Sequence, residues 1–173
     1  MAGDVATFKL DETVVYAGRP MRVAGIAVLE GAGGQKTTRY LLEDASGAPL
    51  LLEEGERRFA LLRPFPPGAQ PPATGKVVSV GKEKYTLVGV RQLTLLTAEG
   101  KTPGGRPQAP LLVSGIFEGE AGTLMREMAP GADGQFYFLL KTLAPGAVLS
   151  AAQHSLAKQA ERYAAGNRTR EQD

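Results

Sequence analysis

The chain has 173 residues, of which none is cysteine, 20 are Lys or Arg and 18 are Asp or Glu, giving a formal net charge of +2. The absence of cysteine excludes disulfides, thiolate nucleophiles and cysteine-based zinc sites, and the balanced charge does not call for a polyanionic partner. The 22 glycines and 12 prolines are spread between apolar runs, a distribution typical of an all-β chain with many short strands and turns.

The start of the chain, residues 1–8, has neither the basic nor the apolar region of a signal peptide. No later apolar run approaches the roughly 18 residues that span a bilayer. We therefore expect a cytoplasmic protein without a transmembrane segment. At this length the chain suits one domain or two small ones.

Residues 5–65 are predicted to form the first of two small β units. Its opening motif, Val14 to Ile26, reads as an apolar strand, a turn at Gly18 and a second strand. This is the pattern of a β-hairpin. Gly25 falls inside the strand pattern, where a missing side chain indicates a bulge or a bend, so we expect the hairpin to curl.

Two loops of this unit imitate ligand sites without matching them. The run 31–36 has Gln35 where a phosphate-binding loop requires glycine before Lys36, and it predicts a hairpin tip instead. The segment Asp44 to Gly47 lacks the ligand spacing of a calcium-binding loop and predicts a turn.

Residues 66–74 are predicted to be a linker. Five prolines lie between Pro64 and Pro72. Proline removes backbone donors and keeps the chain extended, and this stretch falls at the boundary between two similar units. A proline-rich ligand for an aromatic groove is the other interpretation.

Residues 75–144 repeat the pattern of the first unit. The hairpin motif returns from Val78 to Val90, with Gly81 at the turn and Gly89 inside the strand, and residues 116–127 likewise match residues 41–53. The sequence therefore predicts an internal repeat, made of two tandem β units of the SH3-like or split-barrel type.

Residues 145–166 predict a C-terminal helix, and residues 167–173 predict a disordered tail. Gly166 and Asn167 are typical of a helix C-terminus. We expect the helix to dock lightly on the β units or to bind a partner, because a stripe rich in alanine buries little area. This stripe, at spacings of three and four residues, comprises Leu149, Ala152, Leu156, Ala160 and Tyr163.

The sequence predicts no catalytic centre. The single histidine, His154, lies on the predicted helix without a placed carboxylate. Ser114 lacks the flanking glycines of a nucleophile elbow, and the acidic residues lack metal-ligand spacing. We therefore expect a protein that is not an enzyme and that has no cofactor or metal.

Basic residues next to aromatic ones offer candidate binding positions. Small β-barrels bind single-stranded nucleic acid through such pairs, and Tyr40, Phe59 and Tyr85 each have basic neighbours. The same rings stand in alternating apolar patterns, which equally predict core positions, so both interpretations stay open. The candidate binding residues are Arg39, Arg57, Arg58, Lys82 and Lys84, together with Leu149, Leu156 and Tyr163 of the predicted helix.

Three stretches of the first unit carry a family resemblance: the motif from Val14 to Gly25, the motif from Tyr40 to Gly47, and the run from Leu50 to Glu53. Over about residues 10–65 the chain resembles an uncharacterised bacterial domain-of-unknown-function family of all-β proteins. That family is encoded near polyamine aminopropyltransferase-like and envelope-stress genes. The resemblance implies a soluble accessory protein of a membrane-associated or stress-linked complex, and it assigns no catalytic residue.

These patterns lead us to expect a non-enzymatic adaptor or accessory subunit of a bacterial complex, with the helix as its docking element. The alternative hypothesis is a small β-barrel that binds single-stranded nucleic acid or a small anionic ligand through basic loop tips. The balanced charge favours a protein partner over nucleic acid. Exposed strand edges are compatible with a homodimer.

Overall fold

Strands dominate the structure, a computed structural model that describes residues 6–55, 58–65, 75–102, 110–129 and 136–172, with side chains up to Ala165. The predicted linker and Arg57 lie outside the described residues. The helix α1 spans Ala151–Gln172. The strands are β1 (Thr13–Tyr16), β2 (Arg19–Glu30), β3 (Lys36–Glu43), β4 (Pro49–Glu54), β5 (Phe59–Pro64), β6 (Val77–Val80), β7 (Glu83–Gly100), β8 (Leu111–Gly119), β9 (Gly122–Met128), β10 (Phe136–Thr142) and β11 (Val148–Ser150).

Eight of these strands close into an antiparallel β-barrel. Around the ring the order is β2-β3-β4-β5-β10-β9-β8-β7, and the pairing of β7 with β2 completes it. The other three extend the sheet beyond the ring, since β1 pairs with the start of β2, β11 pairs with β1, and β6 pairs with the start of β7. Closure leaves fewer unpaired strand edges than an open sheet of this size would have.

Each half of the chain contributes five consecutive strands in the same spatial order, β1 to β5 and β6 to β10. The halves meet at two seams, where β2 pairs with β7 and β5 pairs with β10. The expectation of an all-β fold with one C-terminal helix is confirmed. Two separate SH3-like or split-barrel units are not confirmed, because each half contributes four of its strands to one common ring. The internal repeat stays a prediction.

The glycines of the two predicted hairpins occupy the expected conformations. Gly18 and Gly81 lie in the turns with φ of +76° and +60°, a region that L side chains rarely adopt. The register shifts between Val23 and Gly25 on β2, and between Leu87 and Gly89 on β7. The predicted bulges are therefore confirmed, and they bend both strands into the curvature of the barrel.

Apolar side chains fill both faces of the barrel wall. In the first half, Phe8 packs on the outer face in a cluster with Tyr40 and Leu52, and its ring stacks on Phe59 with centroids 5.7 Å apart. In the second half, a cluster around Phe117 covers the corresponding face. Two smaller clusters unite side chains from both halves, and their members are Leu51, Leu62, Met125 and Phe138 in one and Leu29, Leu93 and Leu112 in the other.

The segment before β1 is held by the hydroxyl of Tyr40. This hydroxyl accepts the Thr7 N–H at 2.9 Å and donates to Glu54 Oε1 at 2.7 Å. Burial, and then the Glu54 carboxylate, raise the pKa of Tyr40 well above its ordinary value. Residues 6–10 form no strand, but Phe8 is anchored in the core.

The seam between β2 and β7 is closely packed at the end where Gly25 pairs with Gly100. The Lys101 N–H donates to the Ala24 carbonyl at 2.9 Å. The Lys101 ammonium lies 2.7 Å from a carboxylate oxygen of Glu43. Lys101, and to a smaller extent Arg22, hold the pKa of that carboxyl below its usual range. A Cβ atom placed on Gly25 would lie 1.8 Å from the Lys101 carbonyl oxygen, so only glycine fits there.

The C-terminal helix begins later and ends later than predicted. Residues Val148–Ser150 form β11, because they pair with Val14 to Tyr16 and place Val148 in the core. Ser150 then caps α1: its Oγ accepts the Gln153 N–H at 3.1 Å, and Gln153 Oε1 accepts the Ser150 N–H at 3.0 Å. This is a reciprocal capping box. The backbone stays helical through Gly166 to Gln172.

Replacing Ser150 with alanine is expected to destabilise the start of α1 by about 1 kcal/mol, because the Gln153 N–H loses its acceptor. Helical signal in far-UV circular dichroism should fall. The matched control is Ser155→Ala, inside the helix, which should keep or raise the signal because alanine is the better helix former. Equal signals for the two variants would show that the cap does not set the start of the helix.

The described helix, α1, is not apolar enough along its length to cross a membrane.

Candidate functional site

A cluster of charged side chains lies inside the barrel. Arg39 of β3 bonds to two carboxylates: its Nε donates to Glu53 Oε2 at 3.1 Å and its Nη1 donates to Glu127 Oε1 at 2.8 Å, while Nη2 lies 2.6 Å from Glu127 Oε2. The Ser114 hydroxyl donates to Glu127 at 3.3 Å, and Arg91 Nη2 donates to Glu53 Oε1 at 3.1 Å. We call these five residues the interior cluster.

Strand register explains how the interior cluster forms. Arg39 is the direct partner of Glu53 across β3 and β4, Ser114 is the partner of Glu127 across β8 and β9, and Arg91 is the partner of Ser114 across β7 and β8. Since β3 and β9 are not neighbours in the ring, the pair of Arg39 and Glu127 must reach across the barrel interior. The cluster thus ties the two halves of the chain together.

The interior cluster is charge-balanced, with two arginines and two glutamates. Arg39 is 6% exposed and Glu127 is 1% exposed. Burial alone would lower the pKa of Arg39, but the carboxylates of Glu127 and Glu53 outweigh it and raise that pKa, so the guanidinium stays charged. Buried ion pairs of this kind seldom add net stability, although removing one partner is costly. We therefore regard the interior cluster as a structural tie between the halves.

Arg91 links the interior cluster to the surface. Its side chain is 32% exposed and lines a cleft of about 440 Å³ between β7 and the tip that joins β2 to β3. Arg91 Nε is buried and has no hydrogen-bond partner among the described residues. The other lining residues are Gly31, Ala32, Gly33, Gln35, Thr37, Val90, Gln92 and Leu93.

Beside this cleft, one edge of β7 has no strand partner within the described part of the chain. The pairing with β6 ends at Thr86, and the pairing with β2 begins at Thr94. We call the gap between them, Val88 to Leu93, the open edge. The side chain of Val90 is 63% exposed there.

A second cleft, of about 610 Å³, lies on the outer face where β5 meets β10. Two cations, Arg63 and Lys141, line it together with Tyr85 and Leu139, and its lining residues include no acidic side chain. We call it the basic cleft.

The helix α1 packs little against the barrel wall. It lies mainly against β11 and β1. Between residues 151 and 165 all side chains are exposed except that of His154, which is half-buried. Leu156 is 65% exposed and Tyr163 is 73% exposed. These two side chains, seven residues apart, lie on the same face of the helix.

The structure places the predicted binding residues in different parts of the molecule. The prediction that Arg39 belongs to a binding surface is wrong, because the alternation of side chains along β3 directs the Arg39 side chain into the barrel. Leu149 does not belong to the helix stripe, because it lies in β11. Arg58 is exposed in the turn between β4 and β5, whereas Lys82 and Lys84 are exposed around the turn between β6 and β7.

The aromatic rings next to these cations are core residues. Tyr40 is fully buried, Tyr85 is 4% exposed, and Phe59 stacks on Phe8. Of the two interpretations that the sequence left open, the core position is the observed one.

The sequence analysis missed Arg91, Glu53 and Glu127. Their signal was present, because each interrupts an otherwise apolar or alternating strand at a position that faces inward. Among the described residues, no three Asp, Glu or His side chains lie close enough to hold a metal ion.

Comparisons with protein-family models, with curated proteins and with solved structures find no match to the chain.

Proposed function

We propose that this protein is a non-enzymatic adaptor or accessory subunit, in which the barrel is a rigid body and α1 is the arm that binds a protein partner. One observation carries the proposal: the apolar side chains of Leu156 and Tyr163 are exposed on a helix that packs little against the barrel. An exposed apolar stripe on a helix is the pattern of helix-in-groove recognition.

The energetics of the arm support this proposal. A helix that buries little of its surface within its own chain gains little stability from tertiary packing. Burying a leucine side chain contributes about 1.5–3 kcal/mol, which a partner groove would supply. The opposite face carries Lys158 and Arg162, which would stay in contact with water. The arm is therefore stabilised when it is bound.

The family resemblance extends the proposal to a bacterial complex that is membrane-associated or linked to stress.

The test is a comparison of captures from lysate of the native host, with nuclease added. The baits are the full chain, a chain that ends at Ser150, a Leu156→Glu, Tyr163→Glu double variant, and a Lys158→Glu, Arg162→Glu double variant as the matched control. The truncation must leave β11 in place, because Val148 belongs to the core. Each retained protein is then purified, and its binding to the four chains is measured by calorimetry.

We expect a partner that binds the full chain and the control variant but not the truncated chain or the variant of the apolar face. The loss should be about tenfold or more for each apolar contact of 1.4 kcal/mol. A partner that binds all four chains equally would contradict the role of the arm.

A second candidate function is the binding of a small anionic ligand. The basic cleft favours it, because Arg63 and Lys141 line this cleft without an acidic side chain. Titration with inorganic phosphate, followed by amide chemical shifts, should move the signals of the residues around the cleft. Lys141→Gln should abolish these shifts, and Lys158→Gln on the arm should leave them unchanged.

A further inference from the structure

The backbone of the open edge directs hydrogen-bonding groups away from β8, in the plane of the sheet. The Leu95 N–H donates to the Pro110 carbonyl at 2.9 Å, which fixes the alternation of β7. Since the register with β8 is regular from Gly89 to Thr94, Arg91 and Leu93 direct their backbone groups to β8. Val90 and Gln92 therefore direct their N–H and C=O groups to the side that has no strand partner among the described residues.

The open edge is a recess with the length of one short strand. Its six residues span about 20 Å at roughly 3.3 Å per residue. At one end β6 pairs with Thr86, and at the other end β2 pairs with Thr94 before the chain turns away at Gly31. The recess thus admits one extended segment between two strands that are already in place.

A second copy of this chain does not fit the recess through the same edge. The β7 strand has 18 residues, so an antiparallel β7 from another copy would run on past both ends of the gap. It would then collide with β6 at one end and with β2 at the other. A thin peptide segment avoids both collisions.

Arg91 indicates the chemistry of that segment. A guest residue opposite Arg91 would direct its side chain to the same face of the sheet as Arg91, into the cleft beside Thr37 and Gly31. The Arg91 side chain is 32% exposed and lines this cleft, and hydrogen bonds donated by a charged guanidinium are stronger than those between neutral groups. A guest side chain with an oxygen acceptor would form such a bond with the exposed part of the guanidinium.

We propose that the open edge of β7 binds an extended peptide segment of a partner protein, which adds a strand to the sheet and places an acceptor side chain against Arg91. Val90 and Gln92 exchange backbone hydrogen bonds with the guest, and the exposed side chain of Val90 flanks it on the outer face. Strand addition of this kind gains affinity from the main chain and specificity from alternate side chains. The site is independent of α1, so its failure would not affect the proposed role of the arm.

The probe is a phage-displayed library of random octapeptides selected on the full chain. The enrichment of each peptide is compared with its enrichment on the Val90→Pro variant. Proline at this position removes the outward N–H and leaves the pairing of β7 with β8 intact, as proline at a strand edge does. The matched control is Val90→Thr, which has the same shape and keeps the N–H. The preferred peptide is then synthesised, and its affinity is measured by fluorescence anisotropy.

We expect selected peptides with Asp, Asn, Ser or Thr at one fixed position, bound by the full chain and by Val90→Thr but about tenfold more weakly by Val90→Pro. Because the proline variant could also unfold, amide exchange of the unsubstituted chain is the second measurement. The amides of Val90 and Gln92 should exchange rapidly in the free chain and become protected with the peptide. Protection in the free chain, or enrichment of no peptide over Val90→Pro, would overturn the proposal.

Discussion

Replacing Arg39 with methionine is expected to lower the free energy of unfolding by about 3–5 kcal/mol, because it leaves the carboxylates of Glu53 and Glu127 buried without their main cation. A domain of this size has a total of about 5–15 kcal/mol, so the loss is a large fraction of it. Urea denaturation followed by circular dichroism measures the change.

The matched control is Arg22→Met, which removes the same charge at the surface. Arg22 pairs with Asp11 and Glu43, and its side chain is 48% exposed. Exposed pairs contribute little, so this variant should lose far less. Combining Arg39→Met with Glu127→Gln should cost less than the sum of the two single changes, since both remove the same interaction. Equal losses for Arg39 and Arg22 would show that the interior cluster is not a tie between the halves.

Replacing Gly25 with alanine is expected to lower the free energy of unfolding by about 3 kcal/mol or more, because the added carbon collides with backbone. The Cβ atom would lie 1.8 Å from the Lys101 carbonyl oxygen, and this oxygen cannot move without opening the seam between β2 and β7. Thermal and urea unfolding both report the change.

Gly89 provides the control, since it occupies the equivalent bulge on β7. A Cβ atom there would meet nothing within 4 Å. Gly89→Ala should therefore change stability by no more than about 0.5 kcal/mol, or stabilise the chain by reducing the freedom of the unfolded state. Similar losses at both glycines would mean that backbone conformation, and not the packing of the seam, restricts these positions.

The contrast between Gly25 and Gly89 shows which features of the fold could be predicted from the sequence. Both bulges could be predicted, because glycine inside an alternating strand is a local signal. The seam could not, since it depends on pairing between strands far apart in the chain. Two similar halves can each close on themselves or share one ring, and local patterns are identical in both cases.

The same limit applies to the candidate sites. Arg39 stands beside Tyr40 in the sequence, and this neighbourhood suggests a surface that binds nucleic acid. Whether an arginine in a strand faces solvent or the interior depends on which face is covered, and here the other half of the barrel covers it. The start of α1, by contrast, was available from Ser150 and Gln153, whose spacing is that of a capping box.

The pairing of β5 with β10 and of β2 with β7 has a consequence for synthesis on the ribosome. Until residues up to Thr142 have emerged, the first half presents unpaired edges on β2 and β5, and it holds Arg39 and Glu53 without Glu127. Contacts between such distant segments slow folding, and nascent chains with unpaired edges are prone to aggregate. Chaperones that shield the first half during this interval would raise the yield of the protein without changing the stability of the finished barrel.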